Sequence, residues 1–526
     1  MSDLSEIAKT SAKGGFELFV GYILSSVMAA IGTILIARLL TDAQYGLLTV
    51  VIIPPTMLSL FRNLGVNSAI IRFTARYRAE GKDTQIRSVM ISGLLFEGLM
   101  GVAFSAVIAV LSKPLALHVF HRPQAIDLMR LASLLVLADA FFTFSVSVFT
   151  GFEKMKNYSL MLILRSAIKA VLAPFLVFIG LGPLGALLGF IAAYALSAAV
   201  GTAISFVFLF RQLPPGDNSG ILETLKEMLN YGLPLCAVDT LIGFLPQLYS
   251  FILAMNYSDV VMGNYQVAMN FLVISTFFTF PVVTTLFPAF SKVKKEESLK
   301  TMFVYSVKYS ALIVLPVMFA MISMSEPLVY TFFGRKYSLA PGYLRMLAFM
   351  NVYTGCGLLV IDPLFRGIGK TRLLMKLTLL RSCVAAALAF LLVPKFCVLG
   401  LTLTFVLNRL FLLVPALKWL KDRVSVTVDW PSSAKIYLSS ILSSAPAYAI
   451  TRLLGFNPLA ELLAGGAVFV AVYLFSVCAL RAVDSMDLDN LEKLSAALGP
   501  VRPLARLAIS ALRKGLSVTR GFRVGF

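Results

Sequence analysis

Charge is scarce in this sequence. Only 14% of its 526 residues are Asp, Glu, Lys or Arg, while 59% are hydrophobic and the mean hydropathy is +0.87, a balance that excludes a soluble globular protein. Histidine is nearly absent. His118 and His121 are the only two, and they share one short loop, so histidine-based catalysis and histidine metal ligation have almost no material to use. The five cysteines, Cys236, Cys356, Cys383, Cys397 and Cys478, lie in or beside apolar runs and form no CxxC pair, which argues against both a disulfide framework and a zinc site. Acidic residues number 26 against 46 basic ones. A nucleic-acid partner would need that excess on a soluble module, and the chain has none.

What the chain does have is apolar runs of about 20 residues, the length that crosses ~30 Å of hydrocarbon. They predict an all-α polytopic membrane protein with about 14 transmembrane helices. The spans fall near 16–40, 45–70, 88–111, 126–150, 158–180, 184–210, 230–255, 261–288, 301–324, 341–364, 374–393, 398–417, 434–453 and 458–480. The polar leader ending at Lys13 precedes a span too long for a signal h-region and lacking a small-residue cleavage site, so the first helix is expected to stay attached. Basic residues cluster in alternate loops, at 72–87, 154–156, 292–300, 366–372 and 418–423. About 31 of them fall on that side, about seven on the other and about eight within spans, which places those loops and both termini in the cytoplasm. The net charge of +20 is therefore mainly a topology signal.

A short element occurs twice. Phe149, Gly151, Lys154, Leu164, Arg165 and Ser166 recur at identical spacing as Phe365, Gly367, Lys370, Leu380, Arg381 and Ser382. Thr41, Asp42, Tyr45 and Gly46 are echoed more loosely by Ser258, Asp259, Gly263 and Tyr265. The longest polar interval between spans, Arg211 to Met228, separates six helices from the next six. An even number of spans per copy makes the repeats parallel, related by an axis along the membrane normal. The expected organisation is an amino-terminal six-helix lobe over 1–210, a cytoplasmic linker over 211–229, a carboxy-terminal six-helix lobe over 230–417, two additional helices over 418–481 and a cytoplasmic amphipathic tail over 482–526.

Counted at about 1.5 Å per residue from the cytoplasmic span ends, Arg62, Arg165, Arg381, Arg409 and Asp239 all lie ~10–15 Å deep. A charge facing lipid costs several kcal/mol, so ionisable groups at one depth on several spans point to a hydrated cavity. Arg165 and Lys169 are four apart and share a helix face. The excess is cationic, which favours an anionic cargo, and guanidinium forks match phosphate oxygens. The substrate-binding set read from sequence is Arg62, Arg165, Lys169, Arg381 and Arg409. Lys308, about 10 Å in, is expected to snorkel to the headgroups. Asp139 and Asp239 are candidates for proton or sodium coupling, with Glu17, Glu97 and Glu461 as further intramembrane carboxylates. No other cofactor and no metal is expected. Lys169 is matched in the second copy by Ala385, so the amino-terminal lobe is expected to be the more cationic.

Gly369-Lys370-Thr371 looks like the end of a nucleotide-binding P-loop, but the required upstream glycine is Leu364 and no strand precedes it. ATP hydrolysis by this chain is not expected.

The run from Ile34 through Ala37-Arg38-Leu39-Leu40-Thr41-Asp42 to Tyr45-Gly46-Leu47, then Asn63-Leu64-Gly65, Ser68-Ala69 and Arg72-Phe73, resembles the first two helices of polysaccharide-biosynthesis flippases of the multidrug/oligosaccharidyl-lipid/polysaccharide exporter superfamily. Pro327-Leu328, Phe333-Gly334, Tyr337, Ala340, Phe365-Arg366-Gly367 and Gly369-Lys370 resemble that family's ninth-to-eleventh helix region. The resemblance implies two six-helix lobes around a central cavity plus two extra helices, which in related lipid II flippases form a groove for the lipid tail. It implies a polyprenyl-linked (pyro)phosphate oligosaccharide moved to the outer leaflet by alternating access, for cell-surface glycan assembly. The setting would be a prokaryotic cell membrane, with the chain acting as a monomer beside glycan-assembly proteins and performing no covalent chemistry. The alternatives are a cation-coupled multidrug antiporter of the same superfamily, which needs an acidic or aromatic cavity, and a membrane glycosyltransferase or polymerase, which needs catalytic groups in sizeable external loops.

Overall fold

The computed structural model describes residues 2–214, 220–293, 295–453, 455, 457–495, 506, 509, 510 and 512–514. The centre of the expected linker and most of the basic tail, including Arg502, Arg520 and Arg523, lie outside the described residues, as does the side chain of Asp239. Among the described residues every regular element is helical. The chain forms two compact units, Met1–Gly263 and Asn264–Phe526.

The first unit opens with α1 (Ser2–Leu39), α2 (Asp42–Arg62), α3 (Val66–Ala79) and α4 (Asp83–Pro114). Thr41 starts α2 with a capping box: its hydroxyl accepts from Gln44 N at 3.2 Å, and the Gln44 side chain accepts from Thr41 N at 3.1 Å. Two orphan amides are thereby satisfied where the chain re-enters the apolar phase. The span expected over 45–70 is broken. It stops at Arg62, passes through Leu64 at φ 44° and Gly65 at φ 79°, and restarts at Val66. The unit continues with α5 (Ala125–Ala132), α6 (Leu134–Gly151), α7 (Met155–Leu176), α8 (Gly182–Ile204) and α9 (Ile221–Asn256). Helix α9 takes in the last part of the expected linker and packs against α2, α3 and α4.

Helix α10 (Asp259–Ser291) begins in the first unit, and the second unit starts within it. Then follow α11 (Glu296–Ser323), α12 (Ser325–Phe332), α13 (Ala340–Ala348), α14 (Leu358–Gly367), α15 (Thr371–Val424), α16 (Trp430–Leu453), α17 (Pro458–Ala479) and α18 (Ser485–Ser495). The span expected over 341–364 is bent by 51° between Cys356 and Leu358.

Nine helices among the described residues are long and apolar enough to cross a membrane, or ten if the bent pair is one span. Two of them are continuous apolar stretches of 58 and 54 residues, Met155–Gln212 and Thr371–Val424. At 1.5 Å per residue each would run ~80–90 Å, close to three hydrocarbon thicknesses. Each is instead broken near its middle. Gly180, at φ 97°, breaks the first, and α7 packs along α8; Cys397, at φ 54° and ψ −133°, breaks the second. These breaks fall where the sequence separates 158–180 from 184–210 and 374–393 from 398–417.

The duplicated element is duplicated in structure. Phe149 and Phe365 are both fully buried, each in the apolar core of its own unit. Lys154 N donates to Phe149 O at 2.8 Å, and Lys370 N donates to Phe365 O at 2.8 Å. Helices α7 and α15 start at the next residue in each case. Gly369, the residue that mimics a P-loop, holds the left-handed position of this turn at φ 74°, and Glu153 holds the same position at φ 57°. A left-handed residue closing the preceding helix requires a glycine-like conformation, not a phosphate.

The tail also differs from expectation. Lys308 does not reach for headgroups; it pairs with the fully buried Asp487 of α18, which also accepts from the Tyr309 hydroxyl at 3.2 Å and from Asp484 N at 2.9 Å. Arg513 bridges to Asp489 and Glu492, both at 2.9 Å. The start of the tail therefore packs onto α11 and neutralises a charge that would otherwise be isolated.

Candidate functional site

Polar and charged side chains from α2, α4, α6, α7 and α8 converge inside the first unit. Arg62, the last residue of α2, is buried, and its guanidinium is shared between two carboxylates. It pairs with Glu97 of α4, and it donates to Asp139 Oδ2 at 3.0 Å and to the Thr143 hydroxyl at 3.1 Å, both on α6. Glu97 is fully buried, and its second oxygen has no hydrogen-bond partner among the described residues. Two carboxylates committed to one guanidinium remove Arg62 from the cationic surplus that the sequence assigned to it.

The remaining positive charge rests on α7. Arg165 lies over the Phe142 ring at 4.4 Å and the Tyr194 ring at 4.9 Å, and Lys169 lies over the Phe190 ring at 4.2 Å. These separations are within cation–π range. Both cations are half-buried, and neither makes an ion pair among the described residues, although Arg165 lies within electrostatic reach of Asp139. The cluster carries three positive charges (Arg62, Arg165, Lys169) against two negative ones (Glu97, Asp139). Its excess sits at the aromatic end, where ring faces hold the side chains in place without neutralising them.

Arg381 and Arg409 belong to the second unit. Both are half-buried, and Arg409 acts electrostatically on Tyr353. The residues expected from sequence thus fall into two sets, Arg62, Asp139, Arg165 and Lys169 in Met1–Gly263, and Arg381 and Arg409 in Asn264–Phe526. Sequence reasoning missed Thr143 and the aromatic shelf of Phe142, Phe190 and Tyr194. A signal was present. Thr143 is four residues from Asp139, Phe142 three, and Tyr194 four from Phe190, so each pair shares a helix face.

The chain belongs to the polysaccharide biosynthesis protein family, whose model matches residues 11–294. Its fold is that of the multidrug/oligosaccharidyl-lipid/polysaccharide exporter superfamily of membrane transporters and flippases. It is 22% identical over 511 residues to the uncharacterized membrane protein MJ1068 of Methanocaldococcus jannaschii, covering 91% of this chain and 97% of that one. Among solved structures it is similar to the lipid II flippase MurJ in an inward closed conformation, with a TM-score of 0.68 and 14% identity over 87% of this chain and 97% of that one. It is also similar to a multidrug resistance MATE family transporter of the MOP superfamily in an inward-facing conformation, with a TM-score of 0.60 and 19% identity over 76% and 94% of the two chains.

Proposed function

We propose that this protein is a flippase that carries a lipid-linked (pyro)phosphate oligosaccharide from the cytoplasmic to the outer leaflet of a prokaryotic cell membrane by alternating access. The observation that carries the reading is the Arg165–Lys169 pair on α7, which makes no ion pair among the described residues and is seated on aromatic rings in the interior of a polysaccharide-biosynthesis family member. A guanidinium and an ammonium one helical turn apart suit the oxygens of a phosphate ester. The aromatic faces suit the sugar that follows it. No bond is made or broken, so the chain needs no catalytic group. An outward-moving anion gains ~2.3 kcal/mol per charge per 100 mV of inside-negative potential, which drives transport without ATP. Asp139, beside Arg165, and Glu97 are the groups through which a proton or sodium ion would couple. Both termini face the cytoplasm in this reading, and the partners are the polyprenyl-linked substrate, the bilayer and glycan-assembly proteins.

The test is flipping of a defined polyprenyl-diphosphate oligosaccharide in proteoliposomes. Arg165→Ala with Lys169→Ala should abolish it, and Arg381→Ala should weaken it. Undiminished flipping by a folded Arg165→Ala Lys169→Ala variant would sink the reading.

A cation-coupled drug antiporter is the second reading, favoured by the two intramembrane carboxylates Glu97 and Asp139 gathered around Arg62. Competition for uptake between a lipid-linked sugar and an organic cation separates the two, because a drug antiporter responds to the cation.

A further inference from the structure

Basic residues are rare on the side of the membrane away from the cytoplasm, where the charge distribution leaves about seven of them. Three of these meet in one cavity. In the second unit, a cavity of about 200 Å³ is lined by Glu326, Arg335, Arg345, Tyr448, Arg452 and Glu461, among others. It lies where α11 ends, α12 begins and α16 turns into α17. The basic loops lie at the opposite ends of α11 and α16, so by the positive-inside reading this cavity opens at the outer face.

Its interior is built rather than incidental. Arg345 Nε donates to Ser325 Oγ at 2.7 Å, and its Nη2 donates to Glu326 Oε1 at 2.7 Å. Arg452 Nη2 donates to that same carboxylate oxygen at 2.6 Å, and its Nε reaches the Tyr448 hydroxyl at 3.2 Å. One carboxylate oxygen thus holds two guanidinium groups side by side and leaves several of their N–H donors uncommitted, since each guanidinium carries five. Arg335 makes no ion pair among the described residues. The lining sums to one net positive charge, three arginines against Glu326 and Glu461. The volume is more than ten times the ~10–15 Å³ that a single water needs.

We infer that this cavity is a binding site for a phosphoryl or diphosphoryl anion at the outer face, separate from the Arg165 cluster of the first unit. Paired guanidinium forks are the side-chain geometry that bidentate phosphate recognition uses. Glu326 acts as a positioning residue that holds Arg345 and Arg452 on one carboxylate oxygen, and Arg335 supplies the third cation of the site. Exposed leucines adjoin the lining in sequence, Leu453 next to Arg452 and Leu459 and Leu463 around Glu461, and these favour a phosphate tethered to a lipid chain over a free one. The inference rests on the outward-facing topology of the proposed function and does not require transport.

The experiment is equilibrium binding to the purified full-length protein, with farnesyl diphosphate, inorganic diphosphate and farnesol as probes, in an Arg165→Ala Lys169→Ala background that removes the first cluster. Farnesyl diphosphate should bind and farnesol should not. Arg335→Ala, which breaks no ion pair, should weaken binding at least tenfold, and Arg335→Lys should weaken it less. Glu326→Gln should also weaken farnesyl diphosphate binding, by releasing the two guanidinium groups from their shared anchor. Comparable affinity for inorganic diphosphate would keep the site and make its ligand a soluble anion. Binding that is unchanged by Arg335→Ala, or lost in the background itself, overturns the inference. Flipping measured with Arg165 and Lys169 intact tests the transport reading separately.

Discussion

The guanidinium of Arg62 donates to Asp139 Oδ2 at 3.0 Å while also pairing with Glu97, so one arginine joins α2, α4 and α6. Removing it leaves the fully buried Glu97 without its cation and Asp139 with only the more distant Arg165. Truncating one partner of a buried ion network costs about 3–5 kcal/mol, whereas replacing all the partners with neutral groups of similar volume is close to neutral. Arg62→Ala should therefore lower the thermal midpoint in detergent far more than the combined Arg62→Met, Glu97→Gln, Asp139→Asn variant does. A triple variant less stable than Arg62→Ala would contradict this assignment.

At the aromatic end, Tyr194 and Phe142 hold Arg165 through their ring faces. Tyr194→Phe keeps the face and should transport like the parent. Tyr194→Leu removes about 0.5–2 kcal/mol of cation–π interaction, and an initial-rate assay should show a loss between about twofold and thirtyfold. Equal losses in the two variants would point to the hydroxyl instead.

Where α2 and α10 begin, the backbones touch reciprocally. A Cβ on Gly46 would lie 1.7 Å from the Asp259 carbonyl oxygen, and one on Gly263 would lie 2.1 Å from that of Asp42. Nearby, Arg122 fastens the α9–α10 corner by pairing with Asp259 and donating to Ala254 O at 2.7 Å and Tyr257 O at 2.6 Å. Gly46→Ala and Gly263→Ala should each destabilise by about 1–3 kcal/mol through overpacking against rigid backbone. Labelling of the buried Cys478 thiol with a fluorogenic dye during heating, in a Cys383→Ser background that removes the exposed thiol, would read this, and unaltered melting would show that the two helix starts separate freely.

The tail should respond to its buried ion pair, Lys308–Asp487. Lys308→Ala strands Asp487 without its cation, so limited proteolysis should cut within 485–495 faster than in the parent. Asp487→Asn, which keeps a hydrogen-bonding group there, should accelerate cleavage less. Cleavage at the parental rate in Lys308→Ala would show that the pair does not hold the helix.

The helical architecture could be read from hydropathy because crossing hydrocarbon demands long apolar runs, and the turns at Lys154 and Lys370 are local enough for spacing to reveal them. Asn63 and Gly65 mark the break at Leu64 and Gly65, yet the apolar runs on either side are long enough together to read as one span. Depth along a helix placed Arg62 and Lys308 inside the membrane but could not identify their partners. Glu97 lies 35 residues away from Arg62, and Asp487 lies 179 from Lys308. Ion pairing at such separations is set by tertiary contact, which no periodicity encodes. Arg165 and Lys169 were legible for the opposite reason, since both sit on one turn of one helix.

The shared arginine has a consequence for how the protein is made. Glu97 follows Arg62 by 35 residues and Asp139 by 77. At ~5–20 residues per second, the second carboxylate leaves the ribosome ~4–15 s after the arginine. Until Glu97 emerges, ~2–7 s after the arginine, α2 carries a charge without a carboxylate partner, worth ~2.5–3.5 kcal/mol against entry into the hydrocarbon. We therefore expect α2 to stay at the insertion machinery until α4 emerges to pair with it, and crosslinking of nascent chains arrested before and after Glu97 would show α2 released to lipid only in the longer chain.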